Sequence, residues 1–290
     1  MPPGSALSHS KSNSMATLRR FLHRRTALLG ALVLMIMVLA VVIGPFFLEN
    51  TEGQIDLSVS RAPASLDHPL GTDFLGRDTL SRIIYGGRIS LILTTGAVAT
   101  ALIVGTTIGL TAGYLGNVVD MILMRFVDML LIIPGFLLAI AVVAALGPGT
   151  YNVMIAVGVA AIPGFARIAR GSSLLVSGQE YITAANTIGA SNVRVLLRHI
   201  LPNAAQPLIV QSTLRLATAM LSISSLSFLG LGPQPPTPEW GAMMADSRDY
   251  FTTSPELILY PGIAIFIVAL SFNLIGDGLR DALDPHLSQS

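Results

Sequence analysis

The chain has 290 residues, 52% of them apolar and 11% charged, with a net charge of +1. A soluble domain carries about a quarter charged residues, so this composition excludes an ordinary soluble globule and describes a membrane protein. The near-zero charge balance offers no basic surplus for nucleic acid and no acidic tail of the disordered kind.

There is no cysteine, which excludes a disulfide framework, a thiolate metal site and a cysteine nucleophile. The single lysine is Lys11, in a polar tail, so the chain holds no Walker A loop with its phosphate-binding lysine. If nucleotide drives this protein, another subunit binds it.

Residues 1–25 are rich in Ser, Arg and His without apolar periodicity and read as a cytoplasmic tail. Thr26 to Leu48 carries no charge; as a helix it is roughly 34 Å long, against a hydrocarbon core of about 30 Å. Arg19, Arg20, Arg24 and Arg25 before it fit a signal-peptide n-region, but the apolar stretch exceeds an h-region and no small-x-small site follows, so a retained anchor is expected. Residues 49–88 form an extracytoplasmic loop, in which Leu75, Leu80, Ile83 and Ile84 suggest a short interfacial helix between Asp73 and Arg88.

Further uncharged stretches run from Ile89 to Val119, Met129 to Ala166, Leu216 to Pro238 and Leu257 to Gly276. The second is too long for one crossing and is divided by the turn signal Leu146-Gly147-Pro148-Gly149-Thr150. The expectation is an all-α polytopic membrane protein with six transmembrane helices, at about 26–48, 89–115, 121–146, 151–169, 205–230 and 257–277. The last five make a core over 89–277 that includes a loop at 170–204, and 278–290 is a second tail. Lys11 and the tail arginines, with Arg167, Arg170, Arg194 and Arg198, place the tail, the 167–204 loop and the carboxyl end in the cytoplasm by the positive-inside rule.

Ala97, Ala101, Gly105, Gly109 and Gly113 recur every fourth residue, a stripe almost free of side chains that lets another helix approach closely. Pore lining is the alternative. Asp120, Arg125 and Asp128 cluster where the third span begins; Arg125 and Asp128, three apart, can pair on one face or snorkel to water. Arg215 lies deeper, in the fifth span, and must face protein or a wet cavity. These three, Arg125, Asp128 and Arg215, are the candidate pathway or gating residues.

Glu180 to Pro202 reads as a helix-turn-helix. Ile182, Ala185 and Ile188 share one face, Gly189 permits a sharp turn, and Ser191 or Asn192 can cap a second helix. Val193, Leu196, Leu197 and Ile200 form its apolar face before Pro202 interrupts. An amphipathic loop resting on lipid is the alternative.

This segment resembles the EAA loop of binding-protein-dependent ABC importers, whose pattern is Glu-Ala-Ala, three residues, Gly, nine residues, then Ile-x-Leu-Pro. Ala184, Ala185, Gly189, Leu201 and Pro202 match it; Thr183 stands where the glutamate is expected and His199 where the isoleucine is. Three more stretches resemble dipeptide and oligopeptide permeases of the DppC/OppC type. They are His68 to Asp73 with Gly76-Arg77-Asp78, Ser81-Arg82 and Tyr85-Gly86; Ser227 to Gly232 with Pro235 to Gly241; and Asn273 to Pro285. The motifs cover about residues 68 to 285.

The resemblance implies a type I ABC importer permease fold and a non-catalytic subunit in the bacterial inner membrane. It also implies pairing with a homologous second permease, one or two ABC ATPase subunits that use ATP and Mg, and an extracytoplasmic peptide-binding protein. No cofactor, metal or nucleic acid is expected on this chain. Glu180, Thr183, Ala184, Ala185, Gly189, Ala190, Ser191, Leu201 and Pro202 are then the ATPase-coupling loop, with Glu180 a substitute for the missing family glutamate. Pro235, Pro236, Pro238, Glu239 and Trp240 belong to a proline-stiffened outer loop, either a gate or docking surface or a constrained turn with Trp240 at the interface.

Other classes fare worse. A secondary transporter coupled through Arg125, Asp128 or Arg215 should show paired broken-helix halves, which the hydropathy lacks. An intramembrane hydrolase on Ser191 lacks a buried base, because His9, His23, His68, His199 and His286 all fall outside the apolar spans. Within the permease family, nickel or glutathione are alternative cargoes.

Overall fold

A computed structural model describes residues 21–48 and 53–283. The expected amino tail, apart from its last five residues, lies outside the described residues, as do Asp284 and Pro285. After a helical piece at 21–23, the helices that lie wholly within the described residues are, in order, α1 Arg25–Ile43, α2 Thr79–Leu115, α3 Asn117–Ile132, α4 Gly135–Leu146, α5 Thr150–Ser177, α6 Glu180–Thr187, α7 Asn192–Val195, α8 Leu201–Phe228, α9 Trp240–Asp246 and α10 Glu256–Leu283. A single π turn, Leu196–Ile200, joins α7 to α8. No strand occurs among the described residues, only one isolated bridge between Thr72 and Asp78. The all-α expectation holds.

Among the described residues, four helices are long and apolar enough to cross a bilayer: α1 with its extension to Phe46, α2, α5 and α10. The third expected span is not one rod. It is α3 and α4, bent by 92° and qualifying only as a pair. Ile133 is extended and Pro134 sits at the N-cap of α4, because a proline disfavours helical geometry in the residue before it. The 28-residue α8 is long enough but too polar to meet the same test. Gln206, Gln211, Arg215, Thr218 and Ser222 interrupt its apolar character.

Two boundaries differ from expectation. No separate interfacial helix precedes the second span; residues 79–88 are the first turns of the 37-residue α2, capped by the Asp78 carboxylate, which accepts from the Ser81 N–H at 2.7 Å. Gly86 and Gly87 do not break it, since the Trp240 ring occupies the space a Cβ on Gly87 would need, 2.6 Å from Cζ2. Nor does Pro202 interrupt a helix. It directly follows the π turn Leu196–Ile200, and α8 continues through it, so the missing N–H removes one bond without ending the helix.

The core centres on α2 against α5. A Cβ on Gly105 would lie 2.7 Å from the Ile162 carbonyl, on Gly109 2.1 Å from the Ala166 carbonyl, and on Gly113 2.7 Å from the Ser173 Cβ. Ala97 and Ala101 are buried on the same stripe, and Gly158 answers from α5 with Ala97 O at 3.1 Å. Ser173 Oγ donates to the Leu110 carbonyl at 3.0 Å. The stripe is a packing surface. On the other side α1 lies on α10, where Gly30 meets Leu274, Gly278 meets Ala27, and Arg24 approaches Asp281 at 3.4 Å. Gly276 brings α10 onto Thr213 and Leu214 of α8.

Overpacking a tight contact costs about 1–3 kcal/mol, more where backbone must move. Gly109→Leu is therefore expected to lower the melting temperature in detergent sharply or abolish the folded protein. Gly171→Ala, on α5 with open space at its Cβ, should be neutral or stabilise by about 0.5–1 kcal/mol through helix propensity. Thermal unfolding of both variants checks the contrast.

Candidate functional site

The segment after α5 folds as a helix, a left-handed glycine and a second helix. Gly189 has φ +85°, the conformation that ends α6 and reverses the chain. Ser191 occupies the N-cap of α7 but its side chain makes no capping bond. Three side chains seat the loop: Ile182, Val195 and Ile200 are buried in the same core as α2 and α5. Tyr114, at the end of α2, donates to Asn186 Oδ1 at 3.0 Å and approaches Asn192 Oδ1 at 3.4 Å.

The expected apolar faces are partly corrected. Ile188 is 85% exposed, Val193 64% and Leu197 60%, so these residues point outward while Val195 and Ile200 point inward. The π turn Leu196–Ile200 sets the register of Val195 with Ile200, because i→i+5 bonding places residues five apart, not four, on one face. Glu180, Thr183 and Ala184, one turn apart, are exposed together on α6, whereas Ala185, Ala190 and Leu201 are half-buried and Pro202 is exposed. His199 packs its ring 6.1 Å from that of Tyr181. The outer surface of the loop thus presents the Glu180 carboxylate, the Arg194 and Arg198 guanidinium groups, small residues, Tyr181 and the apolar side chains of Ile188, Val193 and Leu197, with a buried underside fixed to α2 and α5.

The charges at the start of the third span do not pair as their spacing suggested. Asp120 takes a two-point bond from Arg170, Nε and Nη2 each at 2.6 Å, and Asp128 accepts from Arg167 Nη2 at 2.9 Å. Both arginines come from α5, some forty to fifty residues on. Arg125 is exposed and has no ion pair among the described residues. Sequence spacing reported neighbours along one helix; the ion pairs tie α3 to α5 instead. Arg215, on α8, extends to α5, where its Nη2 would lie 2.6 Å from a Cβ on Gly164. It lines a cavity of about 120 Å³ with Gly135, Phe136, Thr218 and Ser222, at the break between α3 and α4. Gly164, Thr218 and Ser222 carried no motif signal, and only the fold brings them to Arg215.

The end of the bundle that carries residues 68–82 and 246–250 is closed by buried charge. Arg77 and Arg82, each 4% exposed, reach Asp73 at 2.6 and 3.5 Å and Asp246 at 4.0 and 3.8 Å. Gly76, at φ +74°, leaves no room for a Cβ against the Asp56 carbonyl. His68 Nδ1 lies 3.0 Å from Asp78 Oδ1, and Phe74 stacks on Tyr250 at 5.2 Å. This cluster joins residues 68–82 to 246–250, an association the separate motifs did not reveal.

Pro235 and Pro236 are exposed, but Pro238, Glu239 and Trp240 are buried. Trp240 is fully enclosed and donates from Nε1 to the Ile83 carbonyl at 2.9 Å, so it is neither an interfacial anchor nor part of a docking surface. Glu239 caps α9: Oε2 accepts from the Ala242 N–H at 3.0 Å and Oε1 from Ser90 Oγ at 2.8 Å. Complete burial pushes this carboxyl up from its usual 4.5; the Ser90 hydroxyl and the Gly241 and Ala242 N–H groups oppose the rise without cancelling it.

A carboxyl whose pKa is raised by folding contributes stability that is present below its unfolded value, about 4.5, and lost as pH climbs through the folded value. Glu239→Gln keeps the donors and acceptors without the titration. The melting temperature of wild type relative to this variant should therefore fall between pH 5 and pH 8. A constant difference across that range would mean that the carboxyl is as fully ionised in the folded protein as in the unfolded chain, and that burial does not raise its pKa.

Residues 105–289 match the family model described as binding-protein-dependent transport system inner membrane component, and residues 14–64 match the N-terminal TM domain of oligopeptide transport permease C. The chain is 43% identical over 263 residues to the dipeptide transport system permease protein DppC of Alkalihalophilus pseudofirmus, covering 91% of this chain and 86% of that protein. It is 45% identical over 273 residues to the glutathione transport system permease protein GsiD of Escherichia coli, covering 93% and 89%. The GsiD of Pectobacterium atrosepticum is 43% identical over 270 residues, covering 93% and 90%. Among solved structures, a chain of the MetNI methionine ABC transporter in inward-facing conformations superposes with a TM-score of 0.56 at 16% identity, covering 70% of this chain and 97% of that one. That likeness is one of fold.

Proposed function

As a member of the family of binding-protein-dependent transport system inner membrane components, this chain is a multi-pass permease subunit, and we propose that it forms half of the translocation pathway of an ATP-driven importer for dipeptides or short oligopeptides. Its partners in this reading are a homologous second permease, one or two ABC ATPase subunits and an extracytoplasmic peptide-binding protein. The chain itself catalyses nothing; ATP and Mg are used by the ATPase. Both termini and the 170–204 loop face the cytoplasm, and the outer cap faces the binding protein. Only Lys11 is available as a lysine, which supports assigning nucleotide to another chain.

The observation that carries the reading is the way the loop is built. Its outer surface offers Glu180, Thr183, Ala184, Ile188, Val193 and Leu197 to a partner, while Ile182, Val195, Ile200 and Tyr114 hold its underside to α2 and α5. A docked ATPase that shifts the loop would move the ends of α2, α5 and α8 with it. Ala184 keeps the approach close, and Glu180, in the first turn of α6 and exposed, supplies the carboxylate that Thr183 cannot. Similarity to glutathione permeases equals that to the dipeptide permease, so glutathione is the second cargo reading.

The test is ATP hydrolysis by the complex that co-purifies with this chain in mild detergent, with binding protein empty, peptide-loaded or glutathione-loaded. Loaded binding protein should stimulate hydrolysis, and the cargo that does so selects between the two readings. Ala184→Trp, which adds bulk on the exposed surface alone, should cut that stimulation by about tenfold without lowering the melting temperature of the permease. Gly189→Val should do the same with some loss of stability, about 1–2 kcal/mol, from forcing a β-branched residue to positive φ. No co-purifying ATPase under several gentle conditions would sink the coupling reading.

A further inference from the structure

Arg215 sits 14 residues from the start of the 28-residue α8 and 13 from its end, so about 20 Å of helix separates it from either side. An arginine at that depth is tolerated against protein or a wet cavity, paired with a counter-charge or with backbone carbonyls. Among the described residues the Arg215 guanidinium has no hydrogen bond or ion pair: Asp120 and Asp128 are engaged by Arg170 and Arg167, Asp281 by Arg24, and neither Glu256 nor Asp277 of α10 lies within ion-pair distance of it. The guanidinium lies over Gly164, where the missing side chain makes its room, and borders the 120 Å³ cavity. Thr218 and Ser222, three and seven residues on, put two hydroxyls on the same helical face and line that cavity too.

We propose that Arg215 is the pathway group that pairs with the free carboxylate of the transported molecule, the cavity beside it receiving the carboxylate end and the Thr218 and Ser222 hydroxyls flanking it. The inference rests on the importer reading above, whose peptides end in a carboxylate. In this reading the cavity of about 120 Å³ takes the carboxylate end of the cargo, and the rest lies toward the second permease. A planar guanidinium suits a carboxylate because it donates two parallel bonds. Gly164 is a positioning residue: a methyl there displaces the guanidinium without removing it.

The experiment uses the full complex in proteoliposomes with its binding protein, and reads uptake of labelled alanylalanine and of its C-terminal amide together with ATP hydrolysis. Both peptides are supplied at concentrations that saturate the binding protein. Wild type should favour the free acid by about tenfold in peptide moved per ATP. Arg215→Gln should lower free-acid uptake per ATP about tenfold and erase the preference. Arg215→Lys should restore part of it, and Gly164→Ala should weaken it with the arginine still present.

If Arg215 instead pairs with a carboxylate of the second permease, Arg215→Gln will lower complex yield and melting temperature and reduce both uptakes equally. That result overturns the inference, as does wild-type uptake of acid and amide at equal rates. Wild type that moves neither peptide, with its ATPase unstimulated, overturns the importer reading itself and the inference with it.

Discussion

The contact between α2 and α5 governs the rest of the structure. In a bilayer no hydrophobic force draws two apolar helices together, and association depends on close packing and on polar bonds between them. Gly105, Gly109 and Gly113 remove the side chains that would hold the two backbones apart, and Ser173 adds a hydrogen bond to the Leu110 carbonyl at the point of approach. Once this pair is set, α5 carries Arg167 and Arg170 to Asp128 and Asp120 and so positions α3. The ends of α2 and α5 form the seat into which Ile182, Val195 and Ile200 fit. Gly164, on the same helix, gives Arg215 its place.

Charge is arranged by position along the helices. At the end of the bundle that carries residues 68–82 and 246–250, Asp73, Arg77, Arg82 and Asp246 are desolvated together, and each arginine faces more than one carboxylate. Removing one member of such a group strands the others, so it favours a single arrangement of the segments it joins more than it adds stability. Beside it, Glu239 is held by neutral donors alone, which is why burial dominates its titration. At the start of the third span each acid has an arginine from another helix. In the middle of α8, Arg215 is a cation without an ion-pair partner among the described residues.

Much of this was legible in the sequence where a local signal coincided with a long-range one. The four-residue spacing of small side chains predicted a close helix contact, because in a helix that spacing can make only one stripe. Gly189 announced the turn between α6 and α7. Where the outcome depended on register or partners, local reading failed. Val193, Leu196, Leu197 and Ile200 were expected on one apolar face; Ile200 is buried as expected, Val193 and Leu197 are exposed, and Val195, which carried no such expectation, is buried instead. Arg125 was open either to pair with Asp128 three residues on or to reach water; it is exposed, and the partner of Asp128 is Arg167 on another helix. Trp240 carried the compositional mark of an interfacial residue, but two glycines on α2 open a slot that encloses it. The bend at Pro134 followed from a residue whose local effect is known; its angle did not.

The polarity of α8 has a consequence for how the protein is made. A nascent helix partitions into lipid according to its summed transfer free energy, to which a central arginine alone contributes about +2.5 to +3.5 kcal/mol. Taken singly, α8 gains less from the bilayer than α5 before it or α10 after it. Those two neighbours pack against it through Gly164 and Gly276. The packing that encloses the most polar of the long helices is therefore complete only when α10, the last helix in the chain, has been delivered.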